Sequence, residues 1–544
     1  MRADESAACK ISWQTMISVS SFFCSRIRII DFIRHNTNKY QEQEDHMKRA
    51  GTSSFVLTLK LNTSSQDNYI LNDRFFSGFL MYNKLVRHAR KALASMRQDK
   101  QYRNLMSQYL AIKRKTDAGS KRERNRIGNE LSKIRMQYGL SEYQFHAWIA
   151  VQQKKANGID SFTAQKIASS VWKAVEAVLF RKGKTIHFKR FDTFLSMEGK
   201  TNASGIRFKG GKLYWNGLCI QPQIRKKDTY AREALKNRAK YCRIVRKPMG
   251  LSYHYYLQLV LEGIPPQKHA FKPDGRVGLD QGISTEAVVS EHGCILEELA
   301  SGCRDIEKVV SRLQRKMDRS KRITNPDCYN KDGTVKKGAW FRYSKTCRQD
   351  RMRLKTLYRR AKDRAVQSEE RLANRILCEL GSDLITEPMN YKALQKRSKE
   401  TVVSEKTGRY RSKKRFGASI SKHSPSRFLT ILNRKLSYIG KEILVVDPFS
   451  YKASQYNHVL DTHEKQGLST RSKLIGESLV QRDLYSAFLL MCAEDQYQLD
   501  KDLCNAQFPL FLKNQKECLL ALLSDPDKYY PSCMGLDDFR YLLT

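Results

Sequence analysis

The pattern of hydrophobic and polar positions changes character twice in the first half of the chain. Ser54–Leu61 alternates with a period of two residues, which predicts a strand. From about Asn72 to Trp148, and again over Ile167–Phe180, apolar residues recur at helical spacing, with Lys and Arg on the other face. Short alternating segments between Gly and Pro then predict a β-rich module, either a barrel or a small sandwich: Thr185–Phe191, Ile206–Trp215, Cys242–Arg246 and Tyr253–Leu261.

The second half alternates short apolar strands with amphipathic helices. Pro265–Pro273 has the composition of a linker, and Arg276–Asp280 follows it as a predicted strand that ends in an acid. Glu286–Ser290 is its predicted hairpin partner. Ser382–Glu387 is another strand that ends in an acid, and Asp483–Met491 is a helix that begins with one. A chain of 544 residues with this pattern predicts a multidomain α+β protein.

The charge balance points to the class of partner. Lys and Arg number 100 against 55 Asp and Glu, which gives a net charge of +45. A surface this basic attracts polyanions, and nucleic acid is the leading candidate. Residues 304–375 alone hold 23 Lys and Arg against 9 Asp and Glu, which favours a surface that binds the phosphate backbone over an ordinary solvated helix face. A membrane partner is not expected, because no amphipathic anchor is evident.

The cysteines and the N-terminal segment indicate where in the cell the protein is expected to work. Thirteen scattered Cys without a C-x-x-C pair predict reduced thiols and a cytoplasmic, nucleoid-associated protein. Ile11–Ile30 is broken by polar residues and is a poor signal peptide or transmembrane helix. We expect residues 1–51 to be a disordered leader before the first domain. Within it, we expect the working protein to start near Met47 and residues 1–46 to be disordered or mistranslated.

Three carboxylates stand out by their position at the ends of predicted elements. Asp280 and Glu387 end strands, and Asp483 opens a helix. Acids that converge at one edge of a sheet can hold two Mg²⁺ ions for phosphodiester hydrolysis, with substrate phosphate and water completing the shells. Each acid also has an ordinary interpretation: Asp280 as a turn residue, Glu387 as a surface acid and Asp483 as a helix N-cap. Spacing alone leaves both interpretations open.

Other chemistries have weaker support. The chain has no G-x-x-x-x-G-K-[ST], H-E-x-x-H or G-x-S-x-G motif. His458 and His463 lie five residues apart without nearby cysteines, so no zinc site is expected there. Lys189 and Arg190 interleave with aromatic residues, which suits stacking on bases with phosphate contact, although an ordinary strand with one wet face has the same pattern.

These segments also carry a family resemblance. Val277–Ile283 (VGLDQGI), Leu384–Asn390 (LITEPMN) and Gln481–Phe488 (QRDLYSAF) resemble, in order, the three RuvC motifs of the transposon-encoded TnpB nucleases and their relatives, the compact type V CRISPR effectors. Lys452–Gln455 (KASQ) sits where that family has a Ser-Gln segment, and Phe79–Val86 (FLMYNKLV) resembles its early Tyr-Asn helix. The similarity extends from about residue 52 to residue 495.

The resemblance implies a layout for the chain. It places a β-barrel wedge domain at 52–65 and 181–265, with a helical recognition domain inserted at 66–180. An RNase H-like α/β RuvC core would occupy 275–450 and 476–495. An insertion at 451–475 would replace the family's zinc module, and 496–544 would form a C-terminal helical tail.

The resemblance also implies a mechanism. A guide RNA pairs with one strand of double-stranded target DNA, the protein reads a short flanking motif, and the RuvC site cuts with two Mg²⁺ ions. Asp280, Glu387 and Asp483 are the implied catalytic and metal-binding residues. The implied nucleic-acid contacts are Arg482, Tyr82, Asn83, Lys189, Arg190, Ser454 and Gln455.

One departure keeps alternatives open. The family usually has four zinc-binding cysteines before the third motif, whereas residues 451–491 contain none. Zinc is therefore not expected, and the loading of substrate is in question. A non-cleaving RNA-guided DNA binder, and an unguided RuvC-fold nuclease or transposition accessory protein, are the two alternatives. The missing module favours a divergent TnpB branch and a transposable element.

Overall fold

The fold is described from a computed structural model of the chain. It describes residues 53–543 except 116, 156–157, 181–182, 251, 268–269, 273, 399, 405–407, 409–415, 468, 496 and 526–528. The predicted leader therefore lies outside the described residues. No helix in the described part of the chain is both long and apolar enough to cross a lipid bilayer.

An open five-stranded sheet and a small three-stranded sheet form the first β-rich unit. Their strands are β1 (Ser54–Leu61), β2 (Ser196–Glu198), β3 (Arg207–Lys209), β4 (Lys212–Trp215), β5 (Leu218–Ile220), β6 (Pro222–Gln223), β7 (Ala239–Met249) and β8 (Ser252–Glu262). The larger sheet has the order β2-β7-β8-β1-β6, and β3-β4-β5 form the smaller one. Phe55 pairs with Leu261, so β1 joins a partner about 200 residues later in the sequence.

The strands of the described residues form open sheets, and the predicted barrel is not shown among them. The two edge strands, β2 and β6, have only three and two residues, and no pairing described for them joins one to the other. Closing a barrel requires its last strand to hydrogen-bond to its first. Strands this short leave few backbone groups to pair, so the sheet stays open.

Five helices lie between β1 and β2. They are α1 (Ser65–Gln98), α2 (Lys100–Ile112), α3 (Ala118–Gln137), α4 (Glu142–Gln153) and α5 (Ser161–Leu179). A capping box starts α1, in which the Ser64 hydroxyl accepts from the Asp67 N–H and the Asp67 carboxylate accepts from the Ser64 N–H. The buried faces of the helices share one hydrophobic core with β1, β7 and β8. The helical pattern predicted for this region is confirmed.

The predicted strand at Thr185–Phe191 is wrong. This segment contains no strand, and a short 3₁₀ turn begins at Phe191. The Asn83 side chain explains the difference: its amide donates to the Lys189 carbonyl at 3.0 Å and its carbonyl accepts from the Lys189 N–H at 3.0 Å. One side chain thus satisfies the backbone groups that a neighbouring strand would otherwise pair.

The second sheet is mixed, with the order β11-β10-β9-β12-β13. Its strands are β9 (Arg276–Gln281), β10 (Thr285–Ser290), β11 (Gly293–Glu298), β12 (Asp383–Thr386) and β13 (Leu444–Val445). β9, β10 and β11 are antiparallel neighbours, whereas β12 runs parallel to both β9 and β13. The carboxyl ends of β9 and β12 therefore lie at the same edge.

Helices and short hairpins complete the second half. After the short helix α6 (Thr229–Ala234), which lies between β6 and β7 of the first unit, the helices are α7 (Arg304–Thr324), α8 (Lys345–Arg375), α9 (Tyr391–Leu394), α10 (Gly417–His423), α11 (Pro425–Ser437), α12 (Pro448–Tyr451), α13 (Arg482–Met491) and α14 (Lys501–Leu523). The hairpins are formed by β14 (Tyr456–Asn457), β15 (Thr462–His463), β16 (Ser472–Ile475) and β17 (Ser478–Gln481). One apolar cluster joins α8 and α11 to one face of the second sheet, and another joins α13 and α14 to the opposite face.

Helix α13 approaches β9 closely because residue 278 is a glycine. A Cβ atom at Gly278 would lie 1.8 Å from the Ala487 carbonyl oxygen and 2.5 Å from the Met491 nitrogen, both in the helix backbone. Backbone atoms cannot give way as a flexible side chain can. Gly278 therefore sets the distance between the helix and the sheet.

We expect Gly278→Ala to lower the stability of the protein by about 1–3 kcal/mol, because the added methyl group forces α13 away from β9. The comparison is Gly128→Ala, since a Cβ atom at that position in α3 has nothing within 4 Å. The control should be neutral or stabilising by about 0.5–1 kcal/mol. Thermal and denaturant unfolding measure both. Equal stabilities for the two variants would contradict this account of the packing.

Candidate metal centre

Two of the sequence-predicted acids come from neighbouring parallel strands. Asp280 lies in β9 and pairs with Ala287 of β10, so it is a strand residue and not a turn residue. Glu387 follows β12 directly, and Thr386 of that strand is in register with Leu279 of β9. The register brings Asp280 and Glu387 side by side at one edge of the sheet. Ligands in α/β proteins bind at this kind of edge.

The third acid arrives on helix α13. Asp483 lies in the first turn, and the N-cap is Gln481, whose side-chain oxygen accepts from the Leu484 N–H at 2.6 Å. The interpretation of Asp483 as an N-cap is therefore wrong. Because α13 packs on β9, its first turn faces the strand end that carries Asp280.

Asp280 lies within electrostatic reach of the other two acids. Burial raises the pKa of Asp280 well above its usual value, and the negative charges of Asp483 and Glu387 raise it further, while Arg482 opposes the rise. Burial also raises the pKa of Glu387, against the hydrogen bond donated by the Ala453 N–H. Bringing carboxylates together in this way is unfavourable unless a cation neutralises them.

Arginines occupy the oxygens of Asp483. Arg482 donates from Nη2 to Oδ1 at 3.1 Å, and Arg471 Nη1 lies 3.6 Å from Oδ2. The backbone carbonyl of Thr470 accepts from Arg482 Nη1 at 2.9 Å, so the guanidinium group bridges a loop and the acid. The predicted phosphate contact, Arg482, thus lies beside the acids and is paired with one of them.

The Ser-Gln segment lies against Glu387. Ala453 donates its backbone N–H to Glu387 Oε1 at 3.0 Å. Lys452 makes this turn possible with a left-handed backbone conformation at φ 45°. Ser454 is exposed and Gln455 half-buried directly after that contact, so both predicted nucleic-acid contacts border the acids.

The fit of a divalent cation is partial. Three carboxylates are the donor set that Mg²⁺ prefers, and their mutual repulsion is what a cation would relieve. However, across the residues that the structure describes, no three His, Cys, Asp or Glu side chains form a group that could hold a metal ion. The acids are gathered, but Asp483 is turned to its arginines.

The remaining predicted contacts lie in the first half of the chain, where they have internal partners. Tyr82 is buried, and the Lys189 ammonium group lies 4.2 Å from the centre of its ring. Asn83 holds the Lys189 backbone. Arg190 pairs with Asp192 at 2.7 Å while its side chain stays 64% exposed. Of these four residues, Arg190 is the one that presents its side chain to solvent.

Sequence reasoning missed a fourth acid, Glu286 in β10. It is fully buried, and neither carboxyl oxygen has a hydrogen-bond partner among the described residues. Burial raises its pKa well above the usual value, and Asp280 and Glu369 raise it further. In the register Glu286 pairs with Gln281, so it faces away from Asp280, towards α8. A lone acid inside the apolar run Glu286–Ser290 was the available signal.

A hydrogen-bond chain fixes the strands behind the acids. Gln281 Nε2 donates to Thr386 Oγ1 at 2.7 Å, and Thr386 Oγ1 donates to the Leu279 carbonyl at 2.8 Å. Tyr391 OH donates to Gln281 Oε1 at 3.0 Å. These buried bonds tie β9, β12 and α9 together, and thereby hold Asp280 and Glu387 in register.

Aromatic packing organises the segment that precedes α13. His458 is buried, its Nδ1 lies 2.8 Å from Tyr485 OH, and its ring packs edge-on against Phe508 at 4.7 Å. Burial lowers the pKa of His458 to about 4, so the imidazole is neutral near pH 7. The ring of His463 instead contacts that of Tyr456 in a tilted arrangement, with the ring centres 5.0 Å apart.

Comparison with known proteins gives distant structural likenesses only. No protein-family model matches the chain, and no curated protein matches it. A Cas12f1–sgRNA–target DNA complex solved by cryo-EM matches 81% of this chain and 98% of its own, at 11% identity and a TM-score of 0.37. A CRISPR-Cas12f ternary complex matches 79% of this chain and 82% of its own, at 11% identity and a TM-score of 0.21. At these TM-scores neither likeness carries an argument about the chain.

The buried acid gives a prediction for stability against pH. The raised pKa means that the folded protein holds a proton on Glu286 that the unfolded chain releases, so its contribution to stability falls as pH rises above the ordinary pKa of a glutamate. We expect Glu286→Gln to unfold at a higher temperature than the natural protein at pH 7–8. The difference should vanish near pH 4. A difference that is constant with pH would show that Glu286 does not titrate in this way.

Proposed function

We propose that this chain is an RNA-guided DNA endonuclease that hydrolyses phosphodiester bonds at a RuvC-type site and belongs to a transposable element. The observation that carries the proposal is the convergence of Asp280, Glu387 and Asp483, from three distant segments, on one sheet edge. There the pKa of Asp280 responds to the other two acids. Perturbed carboxylates gathered at a strand end mark a functional site more often than a structural one.

Guidance by RNA has separate support. The net charge of +45 favours polyanionic partners, and the order of the motifs around the three acids resembles that of guided nucleases. Guide RNA and double-stranded target DNA are the proposed partners. The proposed regions are a wedge domain at 52–65 and 181–265, a recognition domain at 66–180 and a nuclease core at 275–450 and 476–495.

Each residue of the site has a proposed task. Asp280, Glu387 and Asp483 would hold Mg²⁺, which supplies an activated water and stabilises the leaving oxygen. Arg482 would exchange the Asp483 carboxylate for a substrate phosphate, because a guanidinium group binds either anion through two parallel N–H donors. Ala453 would keep the Glu387 side chain oriented through its N–H.

Neutralising any one of the three acids should abolish cutting and spare RNA binding. We expect Asp280→Asn, Glu387→Gln and Asp483→Asn each to slow cleavage of a matched target by roughly a thousandfold, since metal stabilisation of the transition state contributes several kcal/mol. The matched control is Asp383→Asn, at the opposite end of β12, where the carboxylate pairs with Lys441. It should cut normally. Full activity in a variant that lacks all three acids would refute the assignment.

The requirement for Mg²⁺ should depend on pH. Protons compete with the cation for Asp280 and Glu387, and their raised pKa values extend that competition to higher pH than for ordinary carboxylates. We expect the Mg²⁺ concentration for half-maximal cutting to rise as pH falls from 8 to 6. A concentration that stays constant over this range would contradict a role for these two acids as ligands.

A non-cleaving RNA-guided DNA binder is the second candidate. One observation favours it: both oxygens of Asp483 face arginines, and the acids of the described residues form no group that could hold a metal. Cleavage of a matched target in Mg²⁺ would exclude this candidate. Sequencing the RNA that copurifies with the protein would separate both guided functions from an unguided nuclease, which needs no discrete RNA.

A further inference from the structure

Helices α7 and α8 form a basic hairpin that leaves the second sheet. The 21 residues of α7 carry the chain about 30 Å before it turns back along α8. The connection between them, residues 325–344, is referred to below as the hairpin tip. Residues 321–348, which include it, contain eight Lys and Arg against two Asp.

The hairpin tip is an ordered structure. Asn325 is buried and joins its two ends, since its amide donates to the Arg342 carbonyl at 2.9 Å and its carbonyl accepts from the Arg342 N–H at 2.6 Å. Tyr329 and Phe341 meet edge to face at 5.8 Å, and Lys321 lies 3.8 Å from the Phe341 ring centre. The aromatic residues on either side of the turn therefore have internal partners.

Trp340 is the exception within this tip. Its surface is 82% exposed, while its carbonyl accepts a hydrogen bond from the Cys328 thiol at 3.4 Å. Of the four tryptophans in the described part of the chain, Trp340 alone is exposed, because Trp148 and Trp172 are half-buried and Trp215 is buried. The hydrogen-bonded backbone at Trp340 thus presents the indole ring to solvent, in a segment rich in Lys and Arg.

The hairpin is joined to another segment that carries basic and aromatic residues. Lys355 of α8 pairs with Asp192 at 2.7 Å, and Asp192 also pairs with Arg190 at 2.7 Å. Phe188 in the same segment is exposed, with Arg90 lying 5.2 Å from its ring centre. An exposed ring and exposed cations therefore occur in both segments that meet at Asp192.

We propose that Trp340 stacks on an unpaired nucleobase, with exposed Lys336, Lys337 and Arg342 contacting the phosphates on either side of it. A base presents an apolar face beside a charged backbone, and an exposed aromatic ring in a segment rich in Lys and Arg matches both features. The inference rests on the proposed function, because it assumes a nucleic-acid partner. It assigns that partner's single-stranded part to the hairpin tip.

Binding of the full chain to labelled oligodeoxythymidylate, oligouridylate and a blunt DNA duplex tests the proposal. Trp340→Ala should weaken binding to the single strands by about tenfold, whereas Trp340→Phe should keep most of the affinity because a ring remains. Duplex binding should be unchanged by either substitution. The matched control is Tyr497→Ala, which removes an exposed ring that lies near Glu494 and Asp495. It should bind as the natural protein does.

Fluorescence gives a second readout that a purely structural role would not move. Single strands should quench the emission of the natural protein, and Trp340→Phe should remove that quenching while the unfolding temperature stays the same. The two single strands distinguish the sources of the base: tighter binding of oligouridylate assigns the site to RNA, and tighter binding of oligodeoxythymidylate assigns it to DNA.

Two outcomes would overturn the inference. One is equal single-strand affinity for the natural protein and Trp340→Ala. The other is a blue shift of Trp340 emission on vesicles of anionic phospholipid without quenching by oligonucleotides, which would make the tip a membrane contact. The failure of the stacking proposal can be told apart from the failure of the nuclease proposal. If Trp340→Ala leaves single-strand binding unaltered and the variant still makes guided cuts, only the stacking proposal is refuted. If single-strand binding depends on Trp340 but the protein does not cut a matched target, only the nuclease proposal is refuted.

Discussion

The contact between helix α13 and strand β9 at Gly278 is the constraint on which the candidate site depends. The helix backbone lies where any side chain at that position would have to be. Asp280 follows two residues later on the same face of the strand, and Asp483 opens the helix. Closeness of main chains, and not attraction between side chains, therefore brings these two acids together. The apolar cluster formed by α13 and α14 on that face supplies the favourable free energy.

Electrostatic repulsion among the acids is offset locally. Arg471 and Arg482 face Asp483, while Asp280 has two carboxylates as neighbours and only the more distant influence of Arg482 in its favour. Such a site favours a bound cation, because a positive charge offsets the repulsion among the carboxylates. The protein as a whole is strongly basic, and a basic surface attracts polyanions. The acids at this edge would repel a polyanion unless cations lay between the acids and the polyanion. Basic and acidic side chains thus lie side by side at this edge, as Arg482 and Asp483 do.

The sequence predicted the regular elements of the second half because their patterns are local. The apolar runs that lead to Asp280 and Glu387 form strands, and Asp483 lies in the first turn of a helix. The failures are non-local. Nothing near Thr185–Phe191 indicates that Asn83, about a hundred residues earlier, will take the place of a strand. Whether a barrel closes depends on the edge strands β2 and β6, which are too short to give a recognisable alternating pattern. The burial of Glu286 could not be predicted, because the burial of a strand residue depends on which helices cover the sheet.

The pairing of β1 with β8 has a consequence for how the protein is made. A ribosome completes β1 and then the whole helical insertion before β8 emerges, about 200 residues later. At synthesis rates of about 5–20 residues per second, this interval lasts roughly 10–40 s. Throughout it an alternating strand with four buried positions, Phe55, Leu57, Leu59 and Leu61, has no β8 to pair with. Helices α1 and α5 share a hydrophobic core with β1 and are complete by then. During synthesis these helices can therefore bury the apolar face of β1 before β8 is made.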